Sequence, residues 1–495
     1  FKIEKEEKMK QNSSDLIRDY FGKKGLPLQP ALTFDDVTIT TKLSDIPRRS
    51  DLNDFRAQLS KNFWLNLPII SANMEDVTGP KMAIALARLG GLGFLHQFMP
   101  IEERIAAVKR VKRVDNERID DPLAILDTAT LGEAWNLMKA RGISSILAVD
   151  GINSLKGIIT SRDYRFKNKI DNTILVESVM TPMPLITALP DISMKEAMRI
   201  LDDGRIEKLP LIDKDGRLCG LISAKDIEKR KQYPDAVRDS RGRLAVGVAL
   251  RLNADYCIEA ELLLAAGADV LLLDTARAGS LMVIEATKRL RNQFPDAVLV
   301  VGNIDNPEHV DLLAKAGADC VKIGIGPGAR CKTRKVAGVG TPQIHAIASC
   351  AAVAKSLGIY VIGDGGIRGS DDFAKALVAG ADAVMIGSLF AGTDESPGIL
   401  IRKGNQLWKQ YRGSASLDHQ IERIQKGSLE EIRNPEGESA LVAYAGYSDD
   451  VVKGMIDGLR SSMSYVGAHN ISEFWERGEF LWVSNSGYEE GKPQT

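Results

Sequence analysis

The stretch AGADVLLLD, residues 266–274, decides the fold, because its first four residues recur at 316–319 and 379–382. Each copy follows an Ala- and Leu-rich helical stretch and precedes a short apolar run. A glycine just after a helical segment supplies the left-handed conformation that ends a helix. Each copy therefore predicts a helix, a sharp end to that helix and then a strand.

Eight apolar runs of strand length are separated by helical stretches along the chain. They are residues 67–70, 92–95, 244–250, 270–273, 298–301, 320–323, 360–362 and 383–386. Strands that alternate with helices are typical of βαβ units and of a parallel sheet. Eight such units predict an α/β fold of the (β/α)8, or TIM barrel, type.

The long gap between the second and third runs has a different pattern. GIITSRD, residues 157–163, and GLISAKD, residues 220–226, lie about sixty residues apart. Each follows an apolar helix and a short strand, so the gap contains two similar halves. This duplication resembles a tandem CBS (Bateman) domain. We predict this domain over 112–235, inserted between barrel parts at 9–111 and 236–495, the second of which carries an active-site flap and a C-terminal segment.

The composition excludes several classes of function. A net charge of −1 gives no global field that would attract nucleic acid or anionic lipid, and no apolar run approaches the ~20 residues of a membrane helix. Five widely spaced cysteines without a CxxC pair fit a reducing intracellular compartment. We expect the cytoplasm, or a glycosome- or peroxisome-like organelle if a C-terminal signal has been trimmed. The five histidines form no ligand pattern, so we expect no catalytic transition metal.

The loop GIGPGARCKTR, residues 324–334, follows the sixth run. Active sites of TIM barrels lie in the loops after the strands, and glycines let such a loop approach a ligand closely. Cys331 stands beside Arg330, Lys332 and Arg334, and nearby cations favour a thiolate. We interpret Cys331 as a nucleophile; the alternative is a structural cysteine in a turn.

Three further loops follow strands of the predicted barrel. GDGGI, residues 363–367, and Gly387-Ser388 follow the seventh and eighth runs, where glycine-rich loops usually hold phosphate with backbone N–H groups and a helix N-terminus. Two tight turns are the alternative. Asp364 would repel a phosphate, so a sugar diol is its expected partner. After the fourth run, Asp274 either orients a cofactor amide or caps a helix.

Other stretches complete a resemblance that covers about residues 31–483. They are SANM at 71–74, GN at 302–303, GVGTPQ at 338–343, YRG at 411–413, GLRS at 458–461 and YVGA at 465–468. Together with GIGPGARCKTR they resemble the IMP dehydrogenase/GMP reductase family, in which a CBS pair occupies this insertion point.

The resemblance implies roles for individual residues. Cys331 would attack C2 of a purine nucleotide, with Thr333 and Glu395 as the proton-handling pair. The substrate would be bound by Ser71, Asn303, Gly328, Ala329, Asp364, Gly365, Gly366, Gly387, Ser388, Tyr411, Gly413 and Glu436. The nicotinamide cofactor would be bound by Asp274, Thr275, Ala276, Gly324, Ile325 and Gly326. The resemblance leaves open whether a monovalent cation, K+, binds the carbonyls near Gly326, Gly328 and Cys331.

The family contains two reactions that share this machinery. The dehydrogenase adds its cysteine to IMP, transfers hydride to NAD+ and hydrolyses the covalent intermediate to XMP. The reductase adds its cysteine to GMP, expels ammonia and takes hydride from NADPH to give IMP. Only the dehydrogenase needs an activated water, which an Arg-Tyr pair on a mobile flap supplies.

The corresponding flap of this chain, residues 416–434, contains no Arg-Tyr pair. A missing base would slow hydrolysis by about 10²–10⁴-fold, whereas a reductase benefits when water is excluded. The resemblance therefore favours a GMP reductase with NADPH, of the CBS-containing trypanosomatid type; the alternative is an IMP dehydrogenase with NAD+. A third hypothesis is a non-catalytic nucleotide sensor, against which the intact Cys331, Thr333 and Glu395 argue. Ala329 departs from the family pattern, which has a phosphate-binding serine there.

For the insertion, the resemblance implies guanine or adenine nucleotides as regulators. Asp163 and Asp226 would bind ribose hydroxyls, and four residues would lie near phosphates: Thr160, Ser161, Ser223 and Lys225. The alternative is a vestigial spacer. Regulation would act by changing how homotetramers pair into octamers.

Overall fold

A computed structural model describes residues 31–115, 118–120, 122–163, 173–425, 432 and 434–492, apart from the side chain of Asp226. The chain forms two compact units. The first combines the described residues up to Val108 with those from Val246 onward, and the second runs from Lys109 to Ala245. No helix in the described ranges is long and apolar enough to cross a membrane.

The first unit is a closed barrel of eight parallel strands. In chain order they are β1 (Ile69–Ser71), β2 (Leu92–Leu95), β3 (Gly247–Leu250), β4 (Val270–Asp274), β5 (Val298–Ile304), β6 (Cys320–Ile323), β7 (Tyr360–Asp364) and β8 (Ala383–Ile386). Each strand pairs with the next, and β8 pairs with β1. The predicted (β/α)8 fold is confirmed, although β1 and β3 begin two and three residues later than the apolar runs.

Helices surround the barrel and follow its strands. They are Pro80–Leu89, Ile101–Arg113, Tyr256–Ala265, Leu281–Gln293, Pro307–Lys315, Gln343–Leu357, Ser370–Val378 and, near the C-terminus, Ser448–Val466. Helix Ser448–Val466 packs against both Ser370–Val378 and Pro80–Leu89, so it closes the ring of helices. Only a four-residue turn of helix, Ser388–Ala391, follows β8 directly.

The barrel unit contains several additional short strands and helices. Strands Val37–Ile39 and Phe480–Trp482 pair, as do Ala57–Ser60 and Phe63–Leu65; a three-stranded antiparallel sheet contains β9 (Leu400–Lys403), β10 (Gln406–Arg412) and β11 (Ser439–Ala443). The remaining helical segments are Phe34–Asp36, Arg49–Asp51, Thr333–Val336, Leu417–Gln425, Ile471–Arg477 and Asn485–Glu490.

The repeated Ala-Gly-Ala-Asp unit links neighbouring strands at the amino-terminal ends of the barrel strands. Its glycine has a φ of +105° at Gly267, and the two other copies have similar values, as expected for a residue that ends a helix. The aspartate that follows accepts a hydrogen bond from a backbone N–H near the start of the preceding strand. These bonds join Asp269 to Val246 at 2.7 Å, Asp319 to Leu299 at 2.8 Å and Asp382 to Val361 at 2.8 Å. The unit therefore fixes strand neighbours as well as helix ends.

The second unit contains two halves that share a helix followed by two strands. The first half has strand Ala124–Leu126, helix Leu131–Arg141 and strands Ser145–Val149 and Leu155–Thr160; the second has helix Met194–Asp203, strands Lys208–Ile212 and Leu218–Ser223 and helix Ala224–Gln232. Smaller segments are Arg118–Ile119, Val176–Ser178 and Thr181–Pro182. Thr130 and Ser193 cap the first helix of each half through N–H groups three residues on. This repetition agrees with the predicted duplication, while its assignment as a CBS pair stays a prediction.

Candidate active site

Polar side chains gather at the carboxyl ends of the barrel strands, around the ammonium group of Lys322. This side chain projects from β6 and is only 2% exposed. Its Nζ lies 3.0 Å from Asp274 Oδ1 and 2.6 Å from Asp364 Oδ2, and it also donates a hydrogen bond to Asn303 Oδ1. The carboxylates come from β4 and β7, so one buried cation joins two predicted ligand-binding residues.

The charge balance of this group follows from its contacts. Burial by itself would lower the pKa of Lys322, but the nearby charges of Asp274 and Asp364 outweigh burial and raise that pKa above its ordinary value. Lys322 therefore stays protonated, and the three side chains carry a net charge of about −1. Lys322 was not among the predicted site residues, although a lysine inside the apolar run CVKI is itself unusual.

One carboxylate oxygen of Asp364 accepts hydrogen bonds within the protein, and the other can accept them from a ligand. Its Oδ2 accepts hydrogen bonds from Lys322 and from Asn303 Nδ2, the latter at 2.9 Å. Within the described residues, Oδ1 has no hydrogen-bond partner. Gln343 Nε2 donates to the carbonyls of Ile323 and Asp364 at 3.0 and 3.1 Å, which ties the ends of β6 and β7 together. The arrangement suits Asp364 to accept hydrogen bonds from a sugar hydroxyl.

The loops after β7 and β8 approach the nucleophile loop closely. Gly365 has a φ of +88°, and a Cβ there would lie 3.2 Å from the backbone nitrogen of Gly328. Tyr411 lies in β10 and is buried; its hydroxyl is 2.7 Å from the position that a Cβ of Gly387 would occupy. Burial raises the pKa of Tyr411, so its hydroxyl stays a donor. The structure thus brings together the residues predicted to hold a phosphate.

The remaining predicted substrate residues have different environments. Ser71 is fully buried at the end of β1, where its Oγ accepts a hydrogen bond from Thr78 at 2.8 Å. Gly366 and Ser388 lie on the loops after β7 and β8, and Ala329 is exposed beside Gly328. Gly413 donates its N–H to the Glu438 carbonyl at 2.9 Å.

Cys331 is the exposed member of the five free cysteines. Its Sγ lies 3.2 Å from Thr333 Oγ1, and Thr333 donates a hydrogen bond to Glu436 Oε2 at 2.7 Å. The four other cysteines lie in strands or helices, and burial raises the pKa of Cys350 to about 12. A reactive thiol is therefore expected at Cys331 alone.

The prediction that Thr333 pairs with Glu395 is wrong. Glu395 Oε2 instead accepts the backbone N–H of Ser448 at 3.0 Å, at the start of helix Ser448–Val466. A carboxylate is stabilised there because the first N–H groups of a helix lack partners inside the helix. Glu436, which was predicted to bind the substrate, is the carboxylate that contacts Thr333.

Backbone pairing explains how Glu436 reaches the nucleophile loop. The N–H of Lys332 donates to the carbonyl of Glu436 at 2.7 Å, and the N–H of Glu438 donates to the carbonyl of Arg330 at 2.9 Å. These two segments pair antiparallel, with Cys331 opposite Gly437. The register places the Glu436 side chain beside Thr333.

The three cations beside Cys331 do not contact its sulfur. Lys332 pairs with Glu438 at 2.5 Å, and Arg334 donates to the carbonyls of Ile325 and Thr341. The guanidinium of Arg330 lies 5.7 Å from the centre of the Tyr411 ring. The polar group within hydrogen-bond distance of Sγ is the Thr333 hydroxyl, and the expected effect of the three cations on the thiol stays a prediction.

The surroundings of Asp274 fit a nicotinamide carboxamide. Asp274 Oδ2 accepts hydrogen bonds from Asn73 Nδ2 at 2.9 Å and from Gln97 Nε2 at 3.2 Å. Two buried oxygens beside it, Thr275 Oγ1 and Gln97 Oε1, have no partner in the described residues. A primary amide offers two donors and one acceptor, which matches such unpaired atoms. Ala276 is exposed next to them, and Gly324, Ile325 and Gly326 form the start of the neighbouring loop.

Ion pairs hold the first part of the flap. Arg412 contacts both oxygens of Asp76 at 2.8 and 2.7 Å, and Arg423 of helix Leu417–Gln425 pairs with Glu75 at 2.5 Å. Burial alone would raise the pKa of Asp76, but hydrogen bonds from Arg412 and His419 outweigh it and lower that pKa to about 2. Flap residues 426–431 and 433 lie outside the described residues.

The predicted nucleotide ligands of the second unit have local partners. Asp163 Oδ2 accepts the N–H and hydroxyl of Thr160 at 2.6 and 3.0 Å, and the N–H of Ser161 donates to Ser144. Ser223 is buried and accepts a hydrogen bond from Lys208 at 2.8 Å. Lys225 is exposed, while the Asp226 side chain lies outside the described residues. Nucleotide binding there stays a prediction.

Two metal predictions concern the barrel. The described residues contain no group of three or more His, Cys, Asp or Glu side chains that could hold a metal ion. A monovalent cation would use backbone carbonyls instead, and one of them, Gly328, already accepts the N–H of Cys331 at 2.9 Å. The K+ site stays a prediction.

Comparison with known proteins identifies the family. The profile described as "IMP dehydrogenase / GMP reductase domain" matches residues 31–494. This chain belongs to the IMP dehydrogenase/GMP reductase family. The resemblance predicted from the sequence is thereby confirmed, together with the TIM-barrel fold of the family.

Relatives within the family carry both names. An inosine-5'-monophosphate dehydrogenase of Nitrosopumilus maritimus is 42% identical over 475 residues, 94% of this chain and 99% of the relative. One of Aquifex aeolicus is 41% identical and covers 94% of this chain and 95% of the relative. A cysteine-to-alanine variant of GMP reductase from Trypanosoma brucei, solved with guanosine 5'-monophosphate, is 36% identical with a TM-score of 0.90, covering 95% of this chain and 99% of that one.

Replacing Lys322 tests the buried cation of this family member. We expect Lys322→Met to lower the free energy of unfolding by about 3 kcal/mol, because two carboxylates lose their shared partner. Lys315→Met is the matched control, since it breaks an exposed ion pair with Asp311 and should cost less than about 1 kcal/mol. Urea unfolding of both variants measures the difference. Equal stability of the two variants would contradict the role given to Lys322.

Two glutamine variants distinguish the corrected pairing from the predicted one. Glu436→Gln should lower turnover by about 10²–10⁴-fold, because it removes the base that accepts the proton of Thr333. Glu395→Gln should change turnover only a few-fold, since Glu395 caps a helix. Glu438→Gln is the control two residues away. Steady-state kinetics decide, and a larger loss in Glu395→Gln than in Glu436→Gln would restore the original pairing.

Proposed function

We propose that this chain is an NADPH-dependent GMP reductase that converts GMP to IMP and ammonia through a covalent adduct on Cys331. The observation that carries this proposal is the flap sequence, residues 416–434, which has no Arg-Tyr pair. Without that pair the adduct has no dedicated base to direct water at C2. The similarity to the Trypanosoma brucei GMP reductase structures over nearly the whole chain supports the same choice.

The side chains support a sequence of steps at the purine. Asp364 would bind the ribose, while Gly366, Gly387, Ser388 and Tyr411 would surround the 5'-phosphate. This placement would bring C2 to the exposed sulfur of Cys331. Addition of Sγ to C2 forms the carbon–sulfur bond, and loss of the 2-amino group as ammonia leaves a planar thioimidate on Cys331.

Thr333 and Glu436 are suited to move the protons of this step. The Thr333 hydroxyl lies between Sγ and the Glu436 carboxylate, at 3.2 and 2.7 Å. It can accept the thiol proton as Glu436 takes its own, and the same path in reverse can protonate the departing amine. The relay needs no water molecule at C2.

The nicotinamide would lie against Asp274, Thr275 and Gln97, whose unpaired atoms fit its carboxamide. NADPH bound there supplies a hydride to C2. Breakage of the carbon–sulfur bond then releases IMP and restores the thiolate of Cys331. Lys322 would hold Asp274 and Asp364 in fixed positions, so that the two ligands meet at one place.

A second candidate is IMP dehydrogenase with NAD+. The names of the curated relatives at 41–42% identity favour it. In that reaction the same Cys331 adduct would be hydrolysed to XMP, and Thr333 with Glu436 would have to activate the water.

The proposal extends to regulation by the second unit. Guanine or adenine nucleotides would bind between its two halves and change how homotetramers pair into octamers. The helix–strand–strand order that the two halves share and the solved complex of the Trypanosoma brucei enzyme with guanosine 5'-triphosphate support this extension.

A two-way assay at 340 nm tests the proposed reaction. Protein with GMP and NADPH should lose absorbance and produce IMP, whereas protein with IMP and NAD+ should form little NADH. Cys331→Ala should abolish turnover without changing the fold. Formation of NADH from IMP, with no NADPH loss on GMP, would establish the dehydrogenase instead. Full turnover by Cys331→Ala would contradict both reactions.

A further inference from the structure

Arg330 has a guanidinium group with unused hydrogen-bonding capacity. It directly precedes the nucleophile Cys331, and its Nε is buried without a partner. Across the described residues its side chain makes no hydrogen bond or ion pair, and its contact is the face of the Tyr411 ring. Buried donors are nearly always paired. An unpaired one beside an active site marks the place of an absent acceptor.

The position of Arg330 identifies where that acceptor would lie. Its guanidinium is 5.7 Å from the centre of the Tyr411 ring, and the hydroxyl of the same ring lies 2.7 Å from the position that a Cβ of Gly387 would occupy. The loop of Gly365 closes on Gly328, two residues before Arg330. The guanidinium therefore borders the pocket formed by the loops after β7 and β8.

The charges around this pocket favour an anion as the acceptor. The other donors there are neutral, namely backbone N–H groups and the hydroxyls of Ser388 and Tyr411. Three other cations near the barrel mouth already have partners: Lys322 contacts two carboxylates, Lys332 pairs with Glu438 and Arg334 donates to two carbonyls. A cation strengthens the binding of a phosphate dianion beyond what neutral donors supply, and arginine offers a planar pair of donors for phosphate oxygens. Ala329 contributes no side-chain donor.

We propose that Arg330 binds the 5'-phosphate of the substrate nucleotide and supplies the positive charge of that subsite. This inference rests on the proposed purine nucleotide substrate, but not on which of the two reactions follows. GMP and IMP carry the same phosphate, so both should depend on Arg330.

Binding of matched nucleotide and nucleoside pairs tests the proposal. Isothermal titration calorimetry, with competition for weak ligands, would compare GMP with guanosine and IMP with inosine. Arg330→Met should weaken both nucleotides by about 10- to 100-fold, the range for a hydrogen bond to a charged group. It should leave the two nucleosides within about two-fold. Arg330→Lys keeps the charge but loses the paired donors, so its loss should be smaller.

Lys335→Met is the matched control. It removes one exposed positive charge from the helix Thr333–Val336, which follows the same loop, and should leave the ratio of GMP to guanosine affinity unchanged. Circular dichroism of each variant would establish that the barrel is folded. Arg330→Lys gives the same comparison if Arg330→Met does not fold.

The outcomes separate this proposal from the proposed function. If Arg330→Met keeps the native ratio of GMP to guanosine affinity, the Arg330 assignment is overturned. The assignment is also overturned if GMP and guanosine lose affinity by the same factor, because Arg330 would then only support the Tyr411 ring. If the native protein binds neither GMP nor IMP, the proposed function fails first.

Discussion

The buried ammonium of Lys322 joins four of the eight barrel strands at their carboxyl ends, since it also donates a hydrogen bond to Asn303 of β5. It projects from β6 and contacts carboxylates on β4 and β7 at 3.0 and 2.6 Å. A buried charge is tolerated only when it is paired and hydrogen-bonded, so the sequence must supply Asp274 and Asp364 where these strands end. Asp364 keeps its Oδ1 without a partner among the described residues, whereas both oxygens of Asp274 are engaged, Oδ1 by Lys322 and Oδ2 by Asn73 and Gln97. The proposed places of a sugar at Asp364 and of a carboxamide beside Asp274 thus both depend on carboxylates that a single cation holds.

The chemistry depends on a second constraint, the pairing of two distant backbone segments. Glu436 follows Thr333 by 103 residues, yet the two side chains are 2.7 Å apart because the loop at 436–438 pairs with the loop at 330–332. The flap lies between these segments in the chain, and its first helix is fixed to the loop after β1 through Arg423 and Glu75. Assembly of the proton relay is thus tied to the position of the flap. This connection relates the flap sequence to the proposed reaction of the Cys331 adduct with hydride instead of water.

Much of the barrel could be predicted from its local pattern, because helix ends and strand lengths are encoded within each repeat. The Ala-Gly-Ala-Asp unit predicts where helices stop, although the bonds from Asp269, Asp319 and Asp382 to neighbouring strands were not predicted. Cys331 could also be identified from the sequence, because a cysteine in a glycine-rich loop after a strand is a local signal. The partner of Thr333 could not be identified in this way, because Glu395 and Glu436 are equally plausible carboxylates until the loops are placed in space. The contacts of Arg330, Lys332 and Arg334 could not be predicted for the same reason, since adjacency in the sequence does not determine where long side chains point.

The central claim is that the adduct on Cys331 is resolved by hydride and not by water. The most direct test incubates the protein with GMP and NADPH that carries deuterium at both C4 positions of the nicotinamide. Mass spectrometry and proton NMR of the product then locate the label. The account predicts IMP with one deuterium at C2 and one equivalent of ammonia. XMP as the product, or IMP without deuterium at C2, would contradict it.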